Sequence, residues 1–312
     1  PTASMRPRKR PPNAAPGMIL LDGDGDSMIW ADLEWTVQTC AKYGARFSFF
    51  LMDQQIDDFS REAIDEVRAM GHSFGPHPWI SLRPSVEQWQ QCVTDIVGRM
   101  RDKYGSAGRA LRSHSVIFPG WDESPKLFVE NGLRLDTNFM AGYRFQSGHC
   151  NSSALPVKFI DRTGQIVDCY EQSTIHGDDT LSTTKVMLPP HDEQGCIDLA
   201  LAALREVVTR YHGVFHPYFH PIGLGGRGRL PTARWFEQVL TLAAEMDLDA
   251  PSADEWLDFN DGRRAVQIAD LDWDPDNATL SFTVSAPLAV DGLTLLLPSC
   301  AGMCPVSVEV DG

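Results

Sequence analysis

Leu20-Leu21-Asp22-Gly23-Asp24-Gly25-Asp26 is the stretch on which the reading of this chain turns. The apolar run from Met18 to Leu21 has the composition of a short buried strand, and three carboxylates then arrive at every second position along glycine-containing backbone. Such a cluster repels itself unless a cation sits within it. The stretch therefore reads as a strand edge that delivers acidic side chains into one pocket, able to hold a divalent metal with a carboxylate base beside it. A solvated acidic turn is the alternative reading of the same residues. A calcium loop is excluded, because its sixth and twelfth positions require Gly and a bidentate Glu where this chain has Ser27 and Leu33.

Outward from this point, strands alternate with helices. Ala31 to Tyr43 has helical periodicity and stops at Gly44, and Arg46 to Leu51 is a strand. Ser60 caps a helix with Ile64, Val67 and Met70 on one face, and Ser85 caps another with Trp89, Val93, Ile96, Val97 and Met100. Ala110 to Ser115 is extended, Ser124-Pro125 opens a helix that closes at Asn131-Gly132, and Leu133 to Phe139 extends again. Asp161 to Gly164 turns a hairpin between Val157–Ile160 and Gln165–Tyr170. Helices over 198–211 and 232–246 flank the strand from Val214 to His220, whose Pro217 predicts a distortion, and a short strand ends at Pro251. This repetition predicts an α/β fold, a β/α barrel complete or one strand short.

The pattern assigns residues 1–17 to a basic, Pro-rich tail and 18–262 to the barrel. From residue 263 onward the period becomes two, in Val266–Trp273, Ala278–Val284, Leu293–Leu297 and Val306–Val310, which predicts a small C-terminal all-β domain over 263–312. A unit of about 50 residues is marginal alone, so it is expected to pack against the barrel, either as a carbohydrate-binding module or as a structural cap. The abrupt start at Pro1 and the stop just after a strand are what a piece of a longer protein would show.

The 312 residues are 43% hydrophobic and 22% charged, an ordinary globular composition, with a net charge of -15. That charge argues against nucleic acid and anionic membrane as partners and favours a neutral or cationic substrate. No apolar run is long enough for a membrane span, and no signal peptide is seen in this stretch. The seven cysteines show no zinc-type spacing. Cys300 with Cys304, and Cys150 with Cys169, could pair in an exported protein, and Cys40 and Cys92 read as small buried hydrophobes.

The order of the motifs resembles the polysaccharide deacetylase family (NodB homology, carbohydrate esterases), and an exported branch of it. Four segments carry the resemblance: the Asp22-x-Asp24 pair, Gly71-His72-Ser73-Phe74-Gly75-Pro76-His77, Arg112-Ser113-His114, and the strand ending in His220. Asn131-Gly132-Leu133-Arg134-Leu135-Asp136-Thr137-Asn138 and Asp254-Glu255-Trp256-Leu257-Asp258-Phe259-Asn260-Asp261-Gly262-Arg263 are similar to segments of that branch. The resemblance implies a distorted β/α barrel and metal-dependent removal of acetyl groups from an extracellular or periplasmic carbohydrate. It implies Asp22 as catalytic base, His220 as general acid, Arg112 as the residue holding the base, and Asp24 and His77 as ligands of one divalent metal, with zinc expected. Ser81 stands where the family has its second histidine ligand, so a third ligand must come from elsewhere. Strand alternation from Arg112 nominates His114, as a ligand or as a hydrogen-bonded neighbour of one. His216 reads as a core histidine, and His149 and His176 as loop residues at the rim. A glycan-binding barrel without turnover is the alternative function. A further one is a haloacid-dehalogenase-type phosphatase, whose signature the acidic stretch resembles in part, with Asp22 as nucleophile and Asp24 as acid/base.

Overall fold

The computed structural model describes residues 12, 15–80, 83–140, 154–178, 193–225 and 232–295. The chain runs β1 (Met18–Ile19), β2 (Asp22–Asp24), α1 (Trp30–Lys42), β3 (Ser48–Leu51), α2 (Asp53–Asp58), α3 (Arg61–Ala69), β4 (Ser73–Pro76), α4 (Val86–Tyr104), β5 (Ala110–Leu111), α5 (Glu123–Glu130) and β6 (Leu135–Asp136). It continues through β7 (Val157–Ile160), β8 (Ile166–Glu171), β9 (His176–Gly177), α6 (Glu193–Thr209), β10 (Val214–Phe215), β11 (Pro217–Phe219), α7 (Pro221–Leu224), α8 (Thr232–Glu245), α9 (Ala253–Ala265), β12 (Gln267–Asp274) and β13 (Thr279–Ser285). The alternation of strand and helix matches the α/β expectation, and the strands of the main sheet are parallel.

Strand pairing falls into groups rather than one closed ring among the described residues. Five strands form a sheet in the order β4-β3-β2-β11-β9, four form β5-β6-β8-β7, and β1 pairs with β10. Between the two larger sheets the backbones of β4 and β5 approach closely. A Cβ on Gly75 would lie 2.0 Å from the Ala110 carbonyl oxygen, and one on Gly108, whose φ is +74°, would lie 1.7 Å from that of Phe74. Only glycine fits both places.

Helix α4 shows how sequence pattern becomes packing. Ser85 accepts from the Gln88 amide and Gln88 reaches back to the Ser85 amide, a reciprocal cap that starts the helix, and Gly105 in the left-handed region ends it. Trp89, Val93, Ile96, Val97 and Met100 then bury one stripe, each contributing roughly 1.5–3 kcal/mol of apolar burial. Trp89 Nε1 donates to Ser124 Oγ at 3.1 Å, so the indole is buried without an orphaned donor.

Several expectations change. Met70, assigned to the apolar face of α3, is exposed at its C-terminal end, because the helix turns out one residue earlier. The strand expected over 110–115 stops at Leu111 and gives way to a tight 3-10 turn, His114–Val116. The strand expected over 214–220 is split at His216, where Pro217 lacks the donor a continuous ladder needs. Helix α9 was not anticipated by the sequence reading, although Ser252 and Glu255 form a capping box before it. Cys169 is a free, buried thiol rather than half of a loop-closing pair; Cys40 is likewise buried, whereas Cys92 is half-exposed. In the C-terminal segment β12 and β13 form an antiparallel hairpin whose residues are mostly exposed, and 293–295 carry no strand. Ser81, His149, Cys150, Cys300, Cys304 and Val306–Val310 lie outside the described residues.

Candidate functional site

Six parallel strands of the two larger sheets end in, or are followed directly by, a polar residue at the C-terminal edge. Asp24 closes β2, His77 follows β4, Arg112 follows β5, Thr137-Asn138 follow β6, Asp178 follows β9 and His220 follows β11. This is the edge at which α/β folds collect functional groups, since the loops there are free of the packing that fixes the strands.

At the foot of the site lies a fully buried ion cluster. Arg112 Nη2 donates to both oxygens of Asp22, at 2.8 and 2.7 Å, and Nη1 donates to Thr174 Oγ1 at 3.0 Å. His216 Nε2 lies 2.8 Å from Asp22 Oδ2, and its Nδ1 lies 3.2 Å from the Ser173 carbonyl oxygen. Tyr218 presents its ring to the guanidinium at 4.8 Å. Burial alone would raise the Asp22 acid, but the Arg112 and His216 groups beside it overcome that and hold its carboxyl below the usual range.

Asp24 stands one layer up. Its Oδ1 is 3.2 Å from Arg112 Nε and 3.9 Å from His77 Nδ1, and is buried without a hydrogen bond. Burial pushes its pKa up against the opposing pull of His77, Arg112 and His220.

Asp26 forms the top layer, where three imidazoles converge. Its Oδ2 is 3.4 Å from His77 Nε2 and 3.5 Å from His220 Nε2, and its Oδ1 is 3.2 Å from His114 Nε2. Burial would raise the Asp26 acid, yet the neighbouring His114 and His77 rings hold it well below the usual carboxylate range. Each histidine has its other nitrogen fixed: His77 Nδ1 to the Arg112 carbonyl oxygen at 2.7 Å, His114 Nδ1 to Ser115 Oγ at 3.2 Å, and His220 Nδ1 to Asp178 Oδ1 at 2.8 Å. A carbonyl can only accept, so His77 Nδ1 carries a proton and Nε2 faces the site, where it is buried and makes no hydrogen bond.

This donor set fits a divalent metal. Imidazoles oriented through their outer nitrogens and aimed at a carboxylate are the arrangement that metal ligation uses, and atoms of Asp24, Asp26 and His220 lie within 4.8 Å of one another. His114 reaches the cluster by a route different from strand alternation. The turn after Ser113 sets Ser115 and Val116 at φ 55° and 46°, and a β-branched residue there is strained. Strain of about 1–3 kcal/mol per residue persists only where the surroundings impose it, and it gathers at functional sites.

A buried carboxyl pair supports this turn from behind. Asp136 Oδ1 accepts from Asn138 N and Nδ2 at 3.3 and 2.5 Å, and Asn138 in turn accepts from the Ser113 amide at 2.8 Å. Glu171 Oε1 accepts from the Phe139 amide at 3.0 Å. Burial pushes Asp136 up to about 7, and burial together with the Asp136 charge pushes Glu171 well up too, so the pair keeps a proton through the acidic range.

The six residues nominated from sequence, Asp22, Asp24, His77, Arg112, His114 and His220, are therefore within one connected cluster. Asp26, Asp178, Glu171 and the contact of His216 with Asp22 were missed. Asp26 shares the two-residue period of Asp22 and Asp24, a signal that was present; Asp178 and Glu171 come from distant strands and had none.

No family model matches the chain, and no curated protein matches it. Among solved structures, the chain is similar to a protein from Mycobacterium smegmatis described as a candidate polysaccharide deacetylase, at 15% identity and a TM-score of 0.59, over 82% of this chain and 96% of that one. It also matches the peptidoglycan deacetylase PdaC from Bacillus subtilis at 12% identity and a TM-score of 0.49, over 81% and 95% of the two chains. The likeness shows the fold: this chain has the α/β fold of polysaccharide deacetylase structures. The phosphatase reading left the histidine-bearing strands unexplained, whereas here they converge on the acidic strand.

Proposed function

We propose that the chain is a metal-dependent hydrolase that removes acetyl groups from carbohydrate, built on a distorted β/α barrel. The observation behind this reading is the convergence of His77, His114 and His220 on Asp26 directly above the buried Asp22–Arg112 cluster. The close approach of β4 to β5 supports the barrel. Asp26, with the His77 and His114 rings that converge on it, would hold one divalent ion beside Asp24 and His220, and imidazoles with a carboxylate suit zinc. Asp26 and His114 thus supply what Ser81 does not. When bound, the ion polarises the acyl carbonyl and lowers the pKa of water to about 7.

The remaining steps belong to the protein. Asp22, the base implied by the resemblance, has both oxygens engaged and is 1% exposed, so it serves as counter-ion to Arg112. Asp24 stands one layer nearer the site, ion-paired with Arg112 through Oδ1, and we assign it the proton from the attacking water. His220, oriented by Asp178, delivers a proton from Nε2 to the departing amine or alcohol. The described residues include no helix long and apolar enough to cross a membrane. An acetylated extracellular or periplasmic glycan is the proposed substrate.

The test is metal content and deacetylation by the same protein sample. Purified without chelator, it should carry one ion per chain and release acetate from an acetylated oligosaccharide. His77→Ala, His114→Ala and Asp26→Asn should each strip the ion. Protein that stays metal-free after incubation with excess zinc, and is inert toward acetylated sugars, would leave the glycan-binding barrel as the reading.

A further inference from the structure

Trp79 is 59% exposed, yet its backbone is pinned. Pro78 has a fixed φ, and its carbonyl accepts the His114 amide at 3.1 Å. The Trp79 carbonyl accepts the Cys92 thiol at 3.5 Å, and two residues earlier the His77 amide donates to Leu51 at 2.8 Å. The indole meets the His114 ring with centroids 6.2 Å apart at 65°, and His114 meets His77 at 5.7 Å and 79°. Trp89, Trp235 and Trp256 are buried completely, whereas Trp79, like Trp121 and Trp273, is exposed. Trp79 stands on a pinned backbone, more than half exposed, at the lip of the proposed hydrolytic cluster.

An indole has an apolar face and only two side-chain torsions, so a pinned, exposed one is a preformed surface that loses little entropy on binding. The apolar C–H face of a pyranose stacks on such a ring while its hydroxyls remain in water. We propose that Trp79 is the platform on which the acyl-bearing sugar ring stacks, holding it against the cluster of His77, His114 and Asp26 and so determining specificity for carbohydrate over simple esters. The inference deepens the hydrolase reading and rests on it for the reaction, although stacking itself requires only the sugar.

The test uses the zinc-loaded full chain as wild type, Trp79→Ala, Trp79→Phe and, as control, Trp273→Ala, which alters a residue 56% exposed on the C-terminal hairpin. The probes are an N-acetylglucosamine tetramer and para-nitrophenyl acetate, an acetyl ester without a sugar. Trp79→Ala should raise KM and Kd for the tetramer about tenfold, the order expected for losing an aromatic contact and its buried area. Its kcat on the tetramer and its rate on the aryl ester should stay within about twofold of wild type, a margin well below that aromatic effect. Trp79→Phe should retain most of the affinity and decides the matter if the alanine variant fails to fold, and Trp273→Ala should match wild type.

Unchanged tetramer affinity in both Trp79 variants overturns the proposal. So does equal damage to both probes, which would make Trp79 a support for the site. Wild type that cleaves the aryl ester but neither binds nor cleaves the tetramer sinks the platform and spares the hydrolase; Trp79-dependent tetramer binding without any hydrolysis does the reverse.

Discussion

Replacing Arg112 by methionine removes the buried cation that Asp22 and Asp24 share. The guanidinium reaches Asp22 Oδ2 at 2.7 Å and Asp24 Oδ1 at 3.2 Å, and both Arg112 and Asp22 are inaccessible to solvent. Methionine keeps most of the side-chain volume, so cavity formation contributes little and the loss is electrostatic. Breaking a buried ion pair by removing one partner costs about 3–5 kcal/mol, because the carboxylate left behind has lost its hydration and keeps only His216 beside it. For a domain of this size each kcal/mol shifts Tm by roughly 2–4 °C, so the variant should melt about 6–20 °C below wild type.

The penalty should depend on pH, and its sign follows from Asp22. In wild type its folded pKa is depressed below the usual carboxylate range, so its stabilising contribution is present above the unfolded pKa and is lost as pH falls through the folded pKa. Without Arg112, only His216 opposes burial, the acid rises, and the variant relieves its charge by taking up a proton. The gap between the two proteins should therefore be wide at pH 8 and narrow toward pH 4. Metal-free samples melted by circular dichroism at both pH values provide the measurement. The Asp22→Asn/Arg112→Met double variant should recover part of the loss, giving a coupling energy of about 0.5–3 kcal/mol. A single variant that melts within about 2 °C of wild type at pH 8, less than one kcal/mol by the same conversion, would refute the argument.

Three further outcomes are expected. Asp24→Asn should retain the bound ion while lowering kcat on an acetylated oligosaccharide by about 10²–10⁴, the range for a lost general base; equal loss of ion and turnover would make Asp24 a ligand instead. Asp178→Asn should lower kcat by about 10–100-fold with metal stoichiometry unchanged, because it orients His220 from outside the cluster; wild-type turnover would remove it from the mechanism. Glu171→Gln tests the carboxyl pair: the folded acids sit above their unfolded values, so native protein holds protons between pH 4 and 7 that the unfolded chain has released, and wild-type stability falls as pH rises across that window. The variant should flatten this slope in urea titrations and be the more stable protein at pH 8, whereas an unchanged slope would place the titration elsewhere.

What the sequence by itself determined was local and periodic. The alternation of apolar runs with capped amphipathic segments predicts α1, α4, α8 and the main strands close to where they lie, because caps and burial stripes act within a few residues. The two-residue spacing of Asp22, Asp24 and Asp26 likewise places three carboxylates at one strand edge. Only the tertiary structure could divide their work. Asp22 is closed off by Arg112 and His216, ninety and 194 residues away, Asp24 is ion-paired with the same Arg112, and Asp26 meets three imidazoles from three separate loops. His114 arrives through a strained turn that no periodicity announces, and Asp178 finds His220 only because β9 and β11 pair. Spacing along a chain sets which face a side chain takes, but which charge it meets there depends on strands brought together from the far end of the sequence, and that meeting sets each carboxylate's partners and pKa.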